Sequence, residues 1–157
     1  MGYTHYWNTK PELDKTQWAA FIDDVCKIYD VAKAHKIELQ YEFDEPKPPI
    51  VDLNVVRFNG VGKDGHETFL LDRKGRPSSS RPTECFGFCK TAQKPYDTAV
   101  TAVLIVAKHH FKDDIAVTSD GQDEDWEEGR QLCAKILGYG DEYHMDNSSG
   151  EEQLTRR

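Results

Sequence analysis

Apolar residues along this chain recur with a period of two in some segments and near 3.6 in others, and one stretch fits neither pattern. Residues 98–107 (TAVTAVLIVA) carry no charge and are apolar nearly all round. A helix of that composition must be enclosed on most sides. Its run of about ten uncharged residues falls short of the roughly 20 that a bilayer span needs. It is therefore expected to be the central core helix, over 95–111. Lys94-Pro95 lead into it from a short aromatic strand, in which Phe86 and Phe88 face one way and Cys85 and Cys89 the other.

The remaining periodicity predicts the other elements. Residues 2–8 (GYTHYWN) alternate, with Tyr3, His5 and Trp7 on one face and Thr4 and Tyr6 on the other, as a strand with a wide aromatic face would. Thr9 and Glu12 have capping-box spacing with Pro11 in the first turn. Trp18, Phe21, Ile22, Val25, Ile28, Tyr29 and Ala32 then mark an amphipathic helix of about 24 residues. Residues 37–43 alternate as a half-buried strand, and 44–49, with three prolines, form an extended connector. Residues 51–59 and 67–71 read as a hairpin joined by the glycine-rich 60–65, followed by a polar loop over 74–82. A short strand at 115–118 passes through Ser119-Asp120-Gly121 into a last helix. That helix has an acidic first turn (123–125), an inner face of Trp126, Arg130, Cys133, Ile136 and Leu137, and a stop at Gly138. From 140 onward no apolar period remains. The expectation is a single domain over 1–139 and a disordered polar tail over 140–157. The order β-α-β-β-β-β-α-β-α predicts an α+β fold, a mostly antiparallel sheet of five to six strands packed with three helices.

Composition narrows the function classes. The 157 residues are 38% hydrophobic and 31% charged, with a net charge of −8, which describes a hydrophilic globule. The acidic balance argues against nucleic acid, whose phosphates call for clustered Lys and Arg. No apolar leader or membrane segment is visible, so a cytoplasmic protein without membrane attachment is expected. Cys85 and Cys89 on one strand would lie about 13 Å apart, too far to bridge, and the four cysteines are expected as reduced thiols.

Candidate chemistry is sparse. Residues 60–65 (GVGKDG) match G-x-G-x-x-G, but a strand follows where a dinucleotide site needs a helix, so the stretch reads as a hairpin turn. The six histidines show no H-x-x-x-H spacing and the cysteines no C-x-x-C, so no metal and no cofactor is expected. His109-His110 suit the carbonyl end of the core helix. A nucleophilic Cys89, served by His5 or His66 and by Asp97 or Asp120, stands against inert packing of a strand cysteine. Two strand-to-helix junctions offer a ligand pocket. Lys90, Thr91, Lys94, Tyr96 and Asp97 occupy the first, Ser119 and Asp120 the second, and His66 and Glu67 are expected at the rim. Lysines at a helix amino end would suit a small anion or nucleotide, although capping alone accounts for the same residues. Tyr3, His5, Tyr6 and Trp7 either cover a sheet face or form an edge strand for a protein partner or a second copy of the chain.

GYTHYW, RFNGVGKDGHETF, FGFCKTAQKPYD followed by AVLIVAKHHF, and SDG together resemble a small family of uncharacterised proteins from bacteriophages, microbes and fungi. That resemblance implies a stand-alone domain and supplies no mechanism. Two readings therefore stand: a non-catalytic binding or interaction protein, self-associating through the aromatic strand, or a small enzyme or anion binder at the junctions.

Overall fold

The structure, a computed structural model, describes residues 2–157. It is an α+β fold. In chain order the elements are β1 (Thr4–Thr9), α1 (Lys15–Ala34), β2 (Leu39–Gln40), β3 (Ile50–Val51), β4 (Val55–Gly60), β5 (Phe69–Asp72) and β6 (Cys85–Lys90). They continue with α2 (Asp97–Phe111), β7 (Ile115–Ser119), α3 (Glu127–Leu137), β8 (Tyr143–Asp146) and β9 (Glu152–Arg156).

The main sheet has the order β6-β1-β7-β9-β8 with every neighbour antiparallel. A smaller antiparallel sheet is built on β4, which pairs β2, β3 and β5. Rings join the two sheets: Trp7 of β1 and Phe58 of β4 each lie 5.1 Å from Phe69 of β5.

The uncharged run becomes α2, and residues 99–107 are all buried. The helix touches α1, α3 and β7. Phe111 at its end meets Trp18 and Phe21 of α1 at 5.9 and 5.1 Å. The crossing with α3 is close because Gly129 has no side chain; a Cβ there would overlap Oγ1 of Thr101. The helix ends not on its histidines but on Lys108, whose ammonium donates to the carbonyls of Lys112 (3.0 Å) and Ile115 (2.8 Å). His109 instead pairs with the Tyr143 hydroxyl and His110 with Asp24.

Three expectations need correction. Thr9 does not cap α1, because β1 runs on through it, paired to both β6 and β7. Asp14 takes that role, its Oδ2 accepting the Gln17 N–H at 3.0 Å. β1 is not an edge strand either, since it lies between β6 and β7. The third concerns 140–157, which holds two strands of the main sheet. Tyr143, Met145 and Leu154 of that segment are buried. Asp123 ties it down: Oδ1 accepts the Met145 N–H (2.9 Å) and an Arg130 N–H (2.8 Å), and Oδ2 lies 2.9 Å from His144 Nδ1. Arg130, only 3% exposed, is thereby paired, as a buried guanidinium must be. Three apolar side chains among polar neighbours left too weak a period to read.

The core role of the C-terminal strands is testable by urea denaturation. Leu154, 1% exposed, fills the interior from β9, so Leu154→Ala is expected to cost about 3 kcal/mol. A loss below about 0.5 kcal/mol, typical of a surface position, would return this segment to the status of a dispensable tail.

Candidate functional site

β1 carries the residue on which two junctions converge. His5 is fully buried, and the ladder sets it opposite Cys89 on β6 and Ser119 on β7. Its Nδ1 lies 2.8 Å from Ser119 Oγ and its Nε2 2.6 Å from Asp97 Oδ1, in the first turn of α2. The hydroxyl of buried Thr91 donates to the same Asp97 oxygen at 2.6 Å. Ser119 Oγ also accepts the Gly121 N–H (2.9 Å) and the Trp126 indole N–H (3.4 Å). With both lone pairs so engaged, its proton points to His5 Nδ1, which leaves the imidazole N–H on Nε2 to donate to Asp97. Tyr3 and Trp126 pack edge-on against the His5 ring, at 5.1 and 5.0 Å.

The turn that delivers α2 is strained. Ala92 and Gln93 both take left-handed backbone, with φ of 52° and 55°. Each such non-glycine residue costs on the order of 1 kcal/mol. Thr91 holds the turn: its carbonyl accepts the Lys94 N–H (3.0 Å) and its hydroxyl oxygen the Gln93 N–H (3.3 Å), and the Ala92 N–H reaches the Tyr3 carbonyl (3.3 Å).

Asp97 opens onto a cleft of 1070 Å³ between the end of α1, the turn before α2, and α3 with the acidic turn preceding it. Asp97, Glu124, Asp125, Glu127 and Glu128 line it against three lysines, Lys94 among them. Tyr3 lies behind this wall. Burial, then the carboxylates of Asp97, Asp125 and Asp120, push its phenol well above the usual range. Its buried hydroxyl has no hydrogen-bond partner among the described residues.

The residues expected at the junctions divide into two groups. Thr91, Asp97 and Ser119 meet around His5, whereas Asp120 turns to β1, accepting the Thr4 N–H on Oδ2 (3.0 Å) and the Tyr6 hydroxyl on Oδ1 (3.3 Å). Lys94 lines the cleft. Lys90, Tyr96, His66 and Glu67 do not line it. Glu67 binds the Lys90 N–H at 2.7 Å, the Tyr96 hydroxyl donates to the Glu67 carbonyl, and His66 is exposed beside Asn59. The residues expected at an interface separate too. His5 and Trp7 are buried, at 0 and 3% exposure, while Tyr6 stays on the open face. There it stacks on Phe86 at 6.3 Å, and Phe86 lies 5.9 Å from Phe88. Phe86 and Phe88 are 59 and 53% exposed.

The sequence offers His5 as part of an aromatic face or as a base beside Cys89, and its pairing with Ser119 and Asp97 is not legible there. The available sign is that it is the one imidazole among the rings of the Tyr3-His5-Trp7 face, with two nitrogens that each need a partner when buried. The acidic cleft wall was read only as a complement to a helix dipole. No group of three or more His, Cys, Asp or Glu suited to a metal occurs among the described residues. No described helix is long and apolar enough to cross a membrane.

Cys89 is fully buried and its thiol is pushed up to about 12, by burial first, with Glu67 and Asp97 adding to it and a Tyr96 hydrogen bond opposing. Burial likewise pushes Cys133 to about 12. At pH 8 a thiol with that pKa is ionised to only about one part in 10⁴. Iodoacetamide on the folded protein, read by mass spectrometry, is therefore expected to leave both unmodified; fast labelling of Cys89 would restore it as a nucleophile. No family model, curated protein or solved structure matches the chain.

Proposed function

We propose that this chain is a non-catalytic binding protein that takes a ligand bearing a cationic amine in the cleft at the amino end of α2. One observation carries the reading. Asp97 is clamped through a single carboxylate oxygen by His5 and Thr91, and its Oδ2 has no partner among the described residues. A carboxylate fixed in this way meets a cation without the entropy cost of ordering its own side chain. The neighbouring Glu124, Asp125 and Glu128 favour the same sign of charge. An anion would face these carboxylates with Lys94 and the two other lysines, while Lys90 lies elsewhere.

The potential nucleophiles support binding over catalysis. The Ser119 oxygen already accepts two N–H groups, and the Cys89 thiol is held protonated in the core. A serine in that state lacks the free, exposed lone pair that acyl transfer requires.

Thermal melting tests the reading, with spermidine as the amine and ATP as the anion. Spermidine is expected to raise Tm by several degrees at about 100 times its Kd, with no such rise from ATP. Asp97→Asn keeps the acceptor for His5 and Thr91 but removes the charge, so it should abolish the rise. A rise with ATP alone, or an equal spermidine effect in Asp97→Asn, would overturn the assignment.

A second reading, self-association, is favoured by the ladder of Tyr6, Phe86 and Phe88 on the open face of the main sheet. The occupant is a second copy, since a two-fold axis through the ladder would lay rings on rings in a self-complementary patch. Light scattering is expected to give a dimer mass for the native chain and a monomer mass for the double variant Phe86→Ser, Phe88→Ser. A native monomer at roughly 100 μM, a concentration that detects even a micromolar dimer, would dismiss it.

A further inference from the structure

Away from the Asp97 cleft, the edges of the two sheets part between β5 and β6. At one end the Glu67 N–H donates to the Lys90 carbonyl at 3.2 Å. At the other the Cys85 thiol lies against Gly75. A pocket of 460 Å³ opens between these ends. Leu70, Phe86 and Phe88 stand at its outer rim, all strongly exposed, with Trp7 and Leu71 beneath them.

Trp7 is the informative residue. Its indole lies over Gly87, where a Cβ would overlap Nε1, so glycine at this position lets the ring reach across β6 toward Phe69. The other two tryptophans satisfy their indole N–H groups, Trp18 on the Asp52 carbonyl (2.9 Å) and Trp126 on Ser119. The Trp7 indole N–H finds no acceptor among the described residues, although its side chain is 3% exposed. The Nε1 atom is not sealed in the core as the Tyr3 hydroxyl is, and the residue lines the pocket, so this donor is open to an acceptor entering there.

We propose that this pocket binds a small, uncharged, planar ligand whose carbonyl oxygen accepts the Trp7 N–H. Each part of that description follows from a wall. The indole only donates, so the ligand must accept. The exposed rim of Leu70, Phe86 and Phe88 suits an apolar ring. The charged residues at the margin are mixed in sign, Glu67 and Asp72 against Arg76, and Glu67 is held by the Lys90 N–H, so the walls do not select a strongly charged ligand. The volume lies within the range of sites for small molecules. Neither the His5 chain nor the amine cleft takes part, and the site stands whether or not that cleft binds its ligand.

The indole ¹⁵N–¹H resonances of the folded chain report the event directly, because three tryptophans give three such peaks. The probes are 1-indanone, a planar ring with a carbonyl, and indane, the same frame without it. Titration with 1-indanone is expected to move one peak, the one missing in Trp7→Phe, downfield to saturation. Indane is expected to bind about tenfold more weakly and leave that proton in place. Trp7→Phe keeps a ring but loses the donor and should lose about tenfold in affinity for 1-indanone. Leu70→Ser, on an exposed strand position outside the Tyr6-Phe86-Phe88 ladder, is the second variant should Trp7→Phe not fold, and it too should weaken binding. An unmoved Trp7 peak at the solubility limit of 1-indanone, an equal response to indane, or undiminished affinity in Leu70→Ser would each overturn the proposal.

Discussion

A helix without a polar face has to be surrounded, and the rest of this molecule is arranged to surround α2. Nine consecutive residues, 99–107, are buried, so the middle turns of the helix have no side facing water. Shielding it takes α1 on one flank, α3 on another through the close approach at Gly129, and the inner side of β7. Such enclosure leaves polar chemistry only at the ends of the helix. At the carboxyl end Lys108 folds back to meet two carbonyls. At the amino end Asp97 enters the first turn, where its charge complements the dipole.

Burying the end of α2 against β1 and β7 creates a polar problem that His5 solves. A carboxylate mostly withdrawn from water needs donors, and Asp97 obtains them from an imidazole and a hydroxyl that are themselves buried. The imidazole in turn needs a donor on its other nitrogen, which Ser119 supplies while the Gly121 and Trp126 N–H groups occupy its lone pairs. Among the described residues every proton of the chain has an acceptor, and the second oxygen of Asp97 is the carboxylate position left open on the cleft. A closed network with one open acceptor on a cleft is the arrangement expected of a fixed binding carboxylate rather than of a proton relay, because no second open position exists to receive what a relay would deliver. Serine, histidine and aspartate thus occur in contact with the hydrogen-bonding order of a triad, yet the serine end is plugged.

Much of this was legible in the amino-acid order, for reasons that can be named. The helix pattern of α1, with Trp18, Phe21, Val25 and Ile28 on one side, and the charge-free run of α2 are strong periodic features, and tertiary packing did not override them. The alternation of Cys85, Phe86, Phe88 and Cys89 correctly separated the open face of β6 from its inner face. What could not be read was pairing. Local spacing made Thr9 a cap, whereas hydrogen bonds from strands more than 70 residues away keep it in the ladder. The same blindness to distant partners hid β8 and β9, whose order rests on Asp123, Arg130 and His144 joining across 21 residues. His5 and Ser119 are 114 positions apart, so their contact is a consequence of strand order alone.

The seam between β5 and β6 follows from the same topology. β1 is satisfied on both edges by β6 and β7, so β6 has only one edge left to offer, and β5 already spends one of its own on β4. Were the two free edges to zip together, the sheets would fuse and β5 and β6 would share a ladder. Their backbones bond instead at Glu67 and Lys90, the Cys85 thiol lies against Gly75 at the far end, and the aromatic contact of Trp7 with Phe69 fills the stretch between. A ring wedged where backbone pairing would otherwise run keeps the strands apart, and Gly87 is what makes space for the wedge. Ring packing is less directional than a ladder and tolerates a gap between the strands, whereas a continuous ladder would close it. The unpaired edges and the unmet indole N–H are therefore two results of one choice at position 87, and any side chain there would have to expel Trp7 from the seam.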